Sequence, residues 1–170
     1  DATQLPDRTA FETNLRQMLA ASAERCQPSG LLLLRVDKCD QLTKRYGGAA
    51  VATLQMKLAT LVIKSVRDED LVCRLAPDLF AVLIPSVSPM AGARVAETGR
   101  AAVRGHAFCL EETGPAVLLT ASFGYAVCLP GDPPTLVLDR ASEAIAKSET
   151  IGRNQLHVHG ANSRVLARIG

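Results

Sequence analysis

Fourteen of the nineteen basic residues are arginines, and a guanidinium fork favours paired hydrogen bonds to phosphate, carboxylate or guanine edges over diffuse attraction. Two arginines stand close to acids. Arg67 leads the run Arg67-Asp68-Glu69-Asp70, and Arg35 lies two residues before Asp37. His157 and His159 alternate along a predicted strand and point the same way, but no third ligand follows at a suitable spacing, so no metal is expected there. The five cysteines, Cys26, Cys39, Cys73, Cys109 and Cys128, are odd in number, contain no CxxC pair and sit mostly in apolar runs. They read as small core residues in a reducing compartment. Gly47-Gly48 reads as a turn at a helix start rather than a phosphate cradle, because no GxxxxGK[ST] pattern is present.

At 170 residues the chain fits one domain, and folding at that size hides roughly 70% of the unfolded surface, so neither disulfides nor structural metals are required. Hydrophobic content of 48%, charged content of 21%, and 9 prolines and 12 glycines spread along the chain exclude a disordered protein. A net charge of +2 leaves nucleic-acid binding to a local basic stripe, and none is visible. The longest apolar run, Leu31 to Leu34, is far too short to cross a bilayer, and no secretory signal opens the chain. A start at Asp1 without methionine suggests a fragment of a longer protein. A cytoplasmic location is expected, with membrane association of the parent left open.

The hydrophobic pattern supplies the elements that must position these groups. Phe11, Leu15, Met18 and Leu19 predict an amphipathic helix over Pro6 to Ala23, ending near Pro28-Ser29-Gly30. Leu31 to Val36 reads as a buried strand. Val51, Leu54, Leu58, Leu61 and Val62 predict a helix over Ala49 to Val66. Leu71 to Leu75 and Phe80 to Ile84 read as a hairpin closed by Ala76-Pro77-Asp78-Leu79. Met90 to Val103 is helical in pattern, Val117 to Leu129 is one long strand-like run, Leu136 to Ser148 is helical, and Gln155 to Val158 is a short last strand. Helices alternating with strands around a central hairpin predict an α/β (α+β) fold, with helices packed on a mixed sheet.

Several segments then resemble the GGDEF family, the diguanylate cyclase-like domains that condense two GTP molecules into cyclic di-GMP. Thr3 to Phe11 is similar to TGLPNRxxF, Arg35-Val36-Asp37 with Tyr46-Gly47-Gly48 to the DxD and YGH segments, and Arg67 to Leu75 to RxxDLVxR. Ala76-Pro77-Asp78-Leu79-Phe80 stands at the signature itself, Thr120 to Gly124 resembles TVSIG, and Gly152-Arg153-Asn154 the closing GRN. The resemblance covers nearly the whole chain and implies a palm-like cyclase fold over residues 1–160, with residues 161–170, including Arg164 and Arg168, as a tail or linker to a further domain.

The resemblance also shows where this chain departs. The family holds its metal ions with two carboxylates; the first position here is Arg35 and the second Asp78. At about 4 Å and an effective dielectric near 20, each unit interaction is worth about 4 kcal/mol per unit of charge product, so the reversal opposes a divalent cation. An Arg35 to Asp78 ion pair is expected instead. The guanine-reading Asn and Asp align with Thr43 and Ala52, and the phosphate lysines with Asp40 and Glu149. Arg153 is retained as a residual nucleotide contact. The glycine pair has become Ala76-Pro77, which adds side chains and removes an amide donor, and Leu79 replaces the second acidic residue. Cys39 replaces a family phenylalanine, so buried packing is favoured over the lowered pKa that adjacent Lys38 would give.

Catalysis is therefore not expected, and Arg67 with Asp70 matches the family's inhibitory RxxD site for cyclic di-GMP. An arginine fork can meet guanine O6 and N7 or a phosphate, while Asp70 can accept from guanine N1 and N2. An exposed Arg67 pairing with Asp70 or Glu69 at a helix end is the competing reading. The assisting arginine aligns with Thr98; Arg94 or Arg100 on the same helix could substitute, but they lie nearly 240° apart. The resulting expectation is a degenerate, catalytically inactive GGDEF domain serving as a cyclic di-GMP receptor without cofactor or metal, joined to a neighbouring signalling domain or a second copy. A nucleotide-free interaction or dimerisation scaffold, and a GTP-binding regulatory domain without turnover, remain as alternatives.

Overall fold

A computed structural model of the chain describes residues 4–111 and 114–159. The four consecutive leucines from Leu31 lie on β1 (Ser29–Val36), which is buried on both faces because it runs through the centre of the main sheet. β2 (Leu71–Ala76) and β3 (Leu79–Ile84) form the predicted hairpin, and β6 (Ala121–Cys128) and β7 (Leu156–His159) extend the other side, giving the order β2-β3-β1-β6-β7. All neighbours are antiparallel except β6 and β7. Leu31 and Leu33 pack toward α1 (Arg8–Arg25) and α5 (Pro134–Ile151), whereas Leu32 and Leu34 pack toward α3 (Gly48–Ser65) and α4 (Pro89–Gly105). Each such leucine contributes about 1.5–3 kcal/mol by leaving water. α5 lies so close to β6 that a Cβ at Gly124 would stand 2.8 Å from the carbonyl oxygen of Ala141. Only glycine allows that approach.

Several boundaries differ from the hydrophobic pattern, each for a local reason. α1 starts at Arg8, where Asp7 accepts from the Ala10 amide at 2.9 Å, and it ends at Cys26, whose left-handed φ of 52° closes it before the proline. α2 (Cys39–Tyr46) was not anticipated: it has eight residues, none fully buried, so it carries little periodic signal. The run from Val117 is two strands. β5 (Ala116–Leu118) pairs with β4 (Ala107–Cys109) in a separate two-stranded sheet, and the chain then crosses at Leu119-Thr120 into β6. Leu119 is buried on both counts, as a link and as a core residue, which hides the break from the sequence pattern. Thr3, the 160/161 boundary and the tail with Arg164 and Arg168 lie outside the described residues.

Candidate functional site

The end of β1 delivers Arg35 to a depression of about 240 Å³, where Asp78 of the hairpin turn, Glu149 of the last turn of α5 and Arg153 also converge. The turn reaches that place because a register shift between Arg74 and Ala76 lets Pro77-Asp78 close the hairpin, and the Val36 amide donates to the Asp78 carbonyl at 3.1 Å. Arg35 Nε lies 3.8 Å from Asp78 Oδ2, but its shorter bond runs from Nη1 to Glu149 Oε1 at 2.8 Å. Arg35 is thus shared between the expected acid and one that stands at an aligned lysine position. Ala76 and Leu79 are half-buried and Pro77 exposed; Leu79 packs against the α1 and α5 core rather than facing the depression.

Asp37, two residues on, is buried and fully engaged. Its carboxylate accepts from Thr120 Oγ1 at 2.7 Å, Ser122 Oγ at 2.6 Å and the Asn154 amide at 3.0 Å. Through the last bond it pins the Gly152-Arg153-Asn154 turn, in which Arg153 and Asn154 hold left-handed φ values of 61° and 46°. Arg153 itself is exposed on the rim of the depression. In the sequence, Asp37 stands out only as part of the Arg35-Val36-Asp37 segment. Its role as a clamp depends on partners more than 80 residues away.

Between α2 and α3, Thr43 and Ala52 are exposed, and the Thr43 hydroxyl turns back to donate to the Cys39 carbonyl at 3.0 Å. The floor beneath them is a polar chain. Buried Gln55 donates to Cys39 Sγ at 3.6 Å and accepts from Arg74 Nη2 at 3.0 Å, and Arg74 also donates to the Pro77 carbonyl at 3.0 Å while lying 5.8 Å over the Phe80 ring. Burial, with Asp78 adding to it, pushes the Cys39 thiol up from its ordinary range, opposite to what Lys38 alone would do. Gln55 and Arg74 gave no sequence signal beyond their place in helix and strand patterns.

At the far end of α3, Arg67 is held in a tight turn. Its Nη2 donates to Asp70 Oδ1 at 2.8 Å and to the Pro85 carbonyl at 2.8 Å, its Nε lies 3.1 Å from the same carboxylate, and its Nη1 pairs with Glu69 at 3.2 Å. The Asp70 side chain has 0% exposure, against 31% for Arg67 and 56% for Glu69. Asp70 therefore reaches a ligand only if its bonds to Arg67 open; as it stands, it orients the guanidinium. Hydrogen bonding to the Asp70 carboxylate raises the Arg67 pKa further, so the cation is permanent.

Among the described residues neither helix arginine bonds to this corner. Arg94 is exposed and lies along its own helix beside Met90, while Arg100 pairs with Glu97 Oε2 at 2.8 Å and reaches the Asn154 carbonyl at 3.5 Å. Thr98 is exposed and donates to the Arg94 carbonyl. His159 meets Glu143 at 3.1 Å, and no cluster of three metal-ligating side chains occurs among the described residues. Of the cysteines, Cys73 and Cys128 are buried as core residues, Cys39 and Cys109 are half-buried, and Cys26 is exposed, which corrects the expectation of a uniform core role. Cys26 closes a helix instead.

A family model described as diguanylate cyclase, GGDEF domain, matches residues 1–155. The diguanylate cyclase DgcP of Pseudomonas aeruginosa is 29% identical over 159 residues, covering 92% of this chain and 23% of its own length. The chain thus spans about a quarter of that relative. The crystal structure of the GGDEF domain of PA1120 (YfiN or TpbB) from Pseudomonas aeruginosa superposes with a TM-score of 0.87 at 28% identity, covering 94% and 99% of the two chains. The GGDEF domain of DgcB from Caulobacter crescentus, in complex with c-di-GMP, superposes with a TM-score of 0.87 at 23% identity, covering 95% of each chain.

Proposed function

Because the chain belongs to the GGDEF domain family of diguanylate cyclases, we propose that it is a catalytically inactive member that binds cyclic di-GMP at the Arg67 corner and passes that signal to an adjoining domain or a second copy. The observation that carries the loss of turnover is the Arg35 bridge between Asp78 and Glu149. Phosphoryl transfer in this family rests on metal ions that neutralise the triphosphate. The donor set here suits them poorly: Asp78 faces a guanidinium, and Asp37 already accepts three hydrogen bonds. Ala52 supplies no carboxylate for a guanine, and Asp40 and Glu149 would repel a triphosphate.

The receptor reading is supported by Arg67, a fixed cation whose Nη1 is paired with the exposed Glu69. A guanine O6 or N7, or a phosphate oxygen, would take the place of Glu69 on Nη1, while Asp70 and the Pro85 carbonyl hold the other two nitrogens. Among the described residues no helix is long and apolar enough to cross a membrane, and a cytoplasmic setting fits the ligand. Among the described residues Arg94 and Arg100 bond to Met90, Glu97 and Asn154 and not to the Arg67 corner, which favours the second reading, an interaction or dimerisation scaffold without nucleotide. GTP held at Arg153 without turnover is the third.

Titration calorimetry separates the three. Cyclic di-GMP should bind and weaken by about 1.5–3 kcal/mol in Arg67→Lys, which keeps the charge beside buried Asp70 but loses the fork. Glu69→Gln should tighten it. Silence toward both cyclic di-GMP and GTP would establish the scaffold, GTP binding abolished by Arg153→Ala the third reading. Synthesis of cyclic di-GMP from GTP and magnesium, in proportion to protein added, would overturn the assignment of inactivity.

A further inference from the structure

A cavity of about 510 Å³ lies on the opposite flank of α2 from Thr43, between that helix and β5. Lys38, Gln41 and Arg45 recur at helical spacing along its wall, and Gln41 and Thr43 are about 200° apart around the axis, so this space is distinct from the α2–α3 crevice. Val117, Leu118 and Leu119 form the facing wall. Leu118 is 75% exposed there. The volume is that of a small-molecule site rather than a packing defect.

Its chemistry is one-sided. Asp37, the carboxylate in the lining, is spent on Thr120, Ser122 and Asn154. Neither Lys38 nor Arg45 forms an ion pair among the described residues, and Arg45 rests over the Tyr46 ring at 5.3 Å, a contact that holds the guanidinium at the rim without neutralising it. Two uncompensated cations over an apolar wall, with the Gln41 amide between them, suit an anion carried on a flat apolar body.

We infer that the cavity between α2 and β5 is a second ligand site, selective for a small molecule bearing a phosphate or carboxylate on an apolar or aromatic frame. The site adjoins the Arg35 depression directly: Asp37, Lys38 and Gln41 line both. Lys38 holds a left-handed φ of 55° at the start of α2, on the segment that leads from β1 into the depression. The site stands independently of whether Arg67 binds cyclic di-GMP.

The test uses 1-naphthyl phosphate as probe, read by its own fluorescence, which is clear of background because the chain has no tryptophan. Saturable binding is expected, weakened about tenfold by Arg45→Glu and about tenfold by Lys38→Gln, each the loss of one charged hydrogen bond. Leu118→Glu, at an exposed position that does not support the fold, should weaken it likewise. Binding unchanged in all three variants would overturn the site, as would equal affinity for uncharged 1-naphthol. Binding lost in Arg153→Ala and kept in Arg45→Glu would place the probe in the neighbouring depression and also overturn it.

Discussion

Arg35 and Glu149 meet at 2.8 Å between the end of β1 and the last turn of α5, with charges opposite in sign to the carboxylate and lysine that the family resemblance implies at these two positions. The exchange is reciprocal. A lone Asp to Arg change would leave a cation between chain segments that the fold brings together, and the glutamate supplies its counter-charge. The pair balances charge locally, and the inactivity proposed above takes it to stand where a metal-bound phosphate would lie.

Reversing one member should therefore hurt and reversing both should not. Arg35→Asp would set a third carboxylate beside Asp78 and Glu149 and should cost about 1 kcal/mol in denaturant unfolding. The magnitude is modest because both side chains of the pair are about one-third exposed. Arg35→Asp combined with Glu149→Lys should recover most of that, giving a coupling of about 0.5–1 kcal/mol that shrinks in high salt. Strict additivity of the two single changes would mean the bridge has no energetic content.

The buried hydroxyl of Tyr125 makes a second case. Its ring end fills the space that a side chain at Gly30 or Gly92 would need, and its oxygen finds no hydrogen-bond partner among the described residues. Burial, with Cys128 nearby, keeps the phenol protonated far above its ordinary range. Tyr125→Phe removes a desolvated polar atom without opening a cavity, so it should raise stability by about 1 kcal/mol, seen as a higher denaturation midpoint at constant slope. A lower midpoint would show that the hydroxyl is bonded after all.

What could be read in the chain followed from what carries local signal. The leucine run of β1, the hairpin and α3 were legible because burial on one or both faces imprints a period. α2 was not, since it contributes no fully buried residue, and neither was the split of the Val117 run, where a buried link imitates a strand. At the site, Arg35, Asp78 and Arg67 could be singled out by aligned position. The Glu149 partner, the Asp37 clamp and the Gln55 to Arg74 bridge could not, because each is a contact between distant segments that only the folded sheet brings together.

The histidines predict an acid-side loss of stability. Burial first, then Lys147 and His159, lower the His157 pKa below its ordinary value of 6.5. The unfolded chain therefore binds that proton more readily than the folded one, and stability is lost as pH falls through 6.5 toward the depressed value. His157→Gln should flatten this slope in urea midpoints measured between about pH 7 and pH 5. An unchanged slope would move the titrating group elsewhere.

Thiol chemistry should report the burial order directly. Cys73 is pushed up to about 11, mainly by burial, and Cys128 up to about 12 by burial as well, so neither presents thiolate at neutral pH. Cys26 is exposed at the end of α1, with its sulfur directed only at the Ala23 carbonyl at 3.8 Å. A disulfide reagent such as Ellman's should therefore modify Cys26 within the first fast phase, Cys39 and Cys109 more slowly, and Cys73 and Cys128 only after denaturant is added. Cys26→Ser should delete the fast phase and leave the rest intact. Four or more equivalents reacting in the native protein, one beyond Cys26, Cys39 and Cys109, would mean that the sheet does not protect Cys73 and Cys128 as the packing requires.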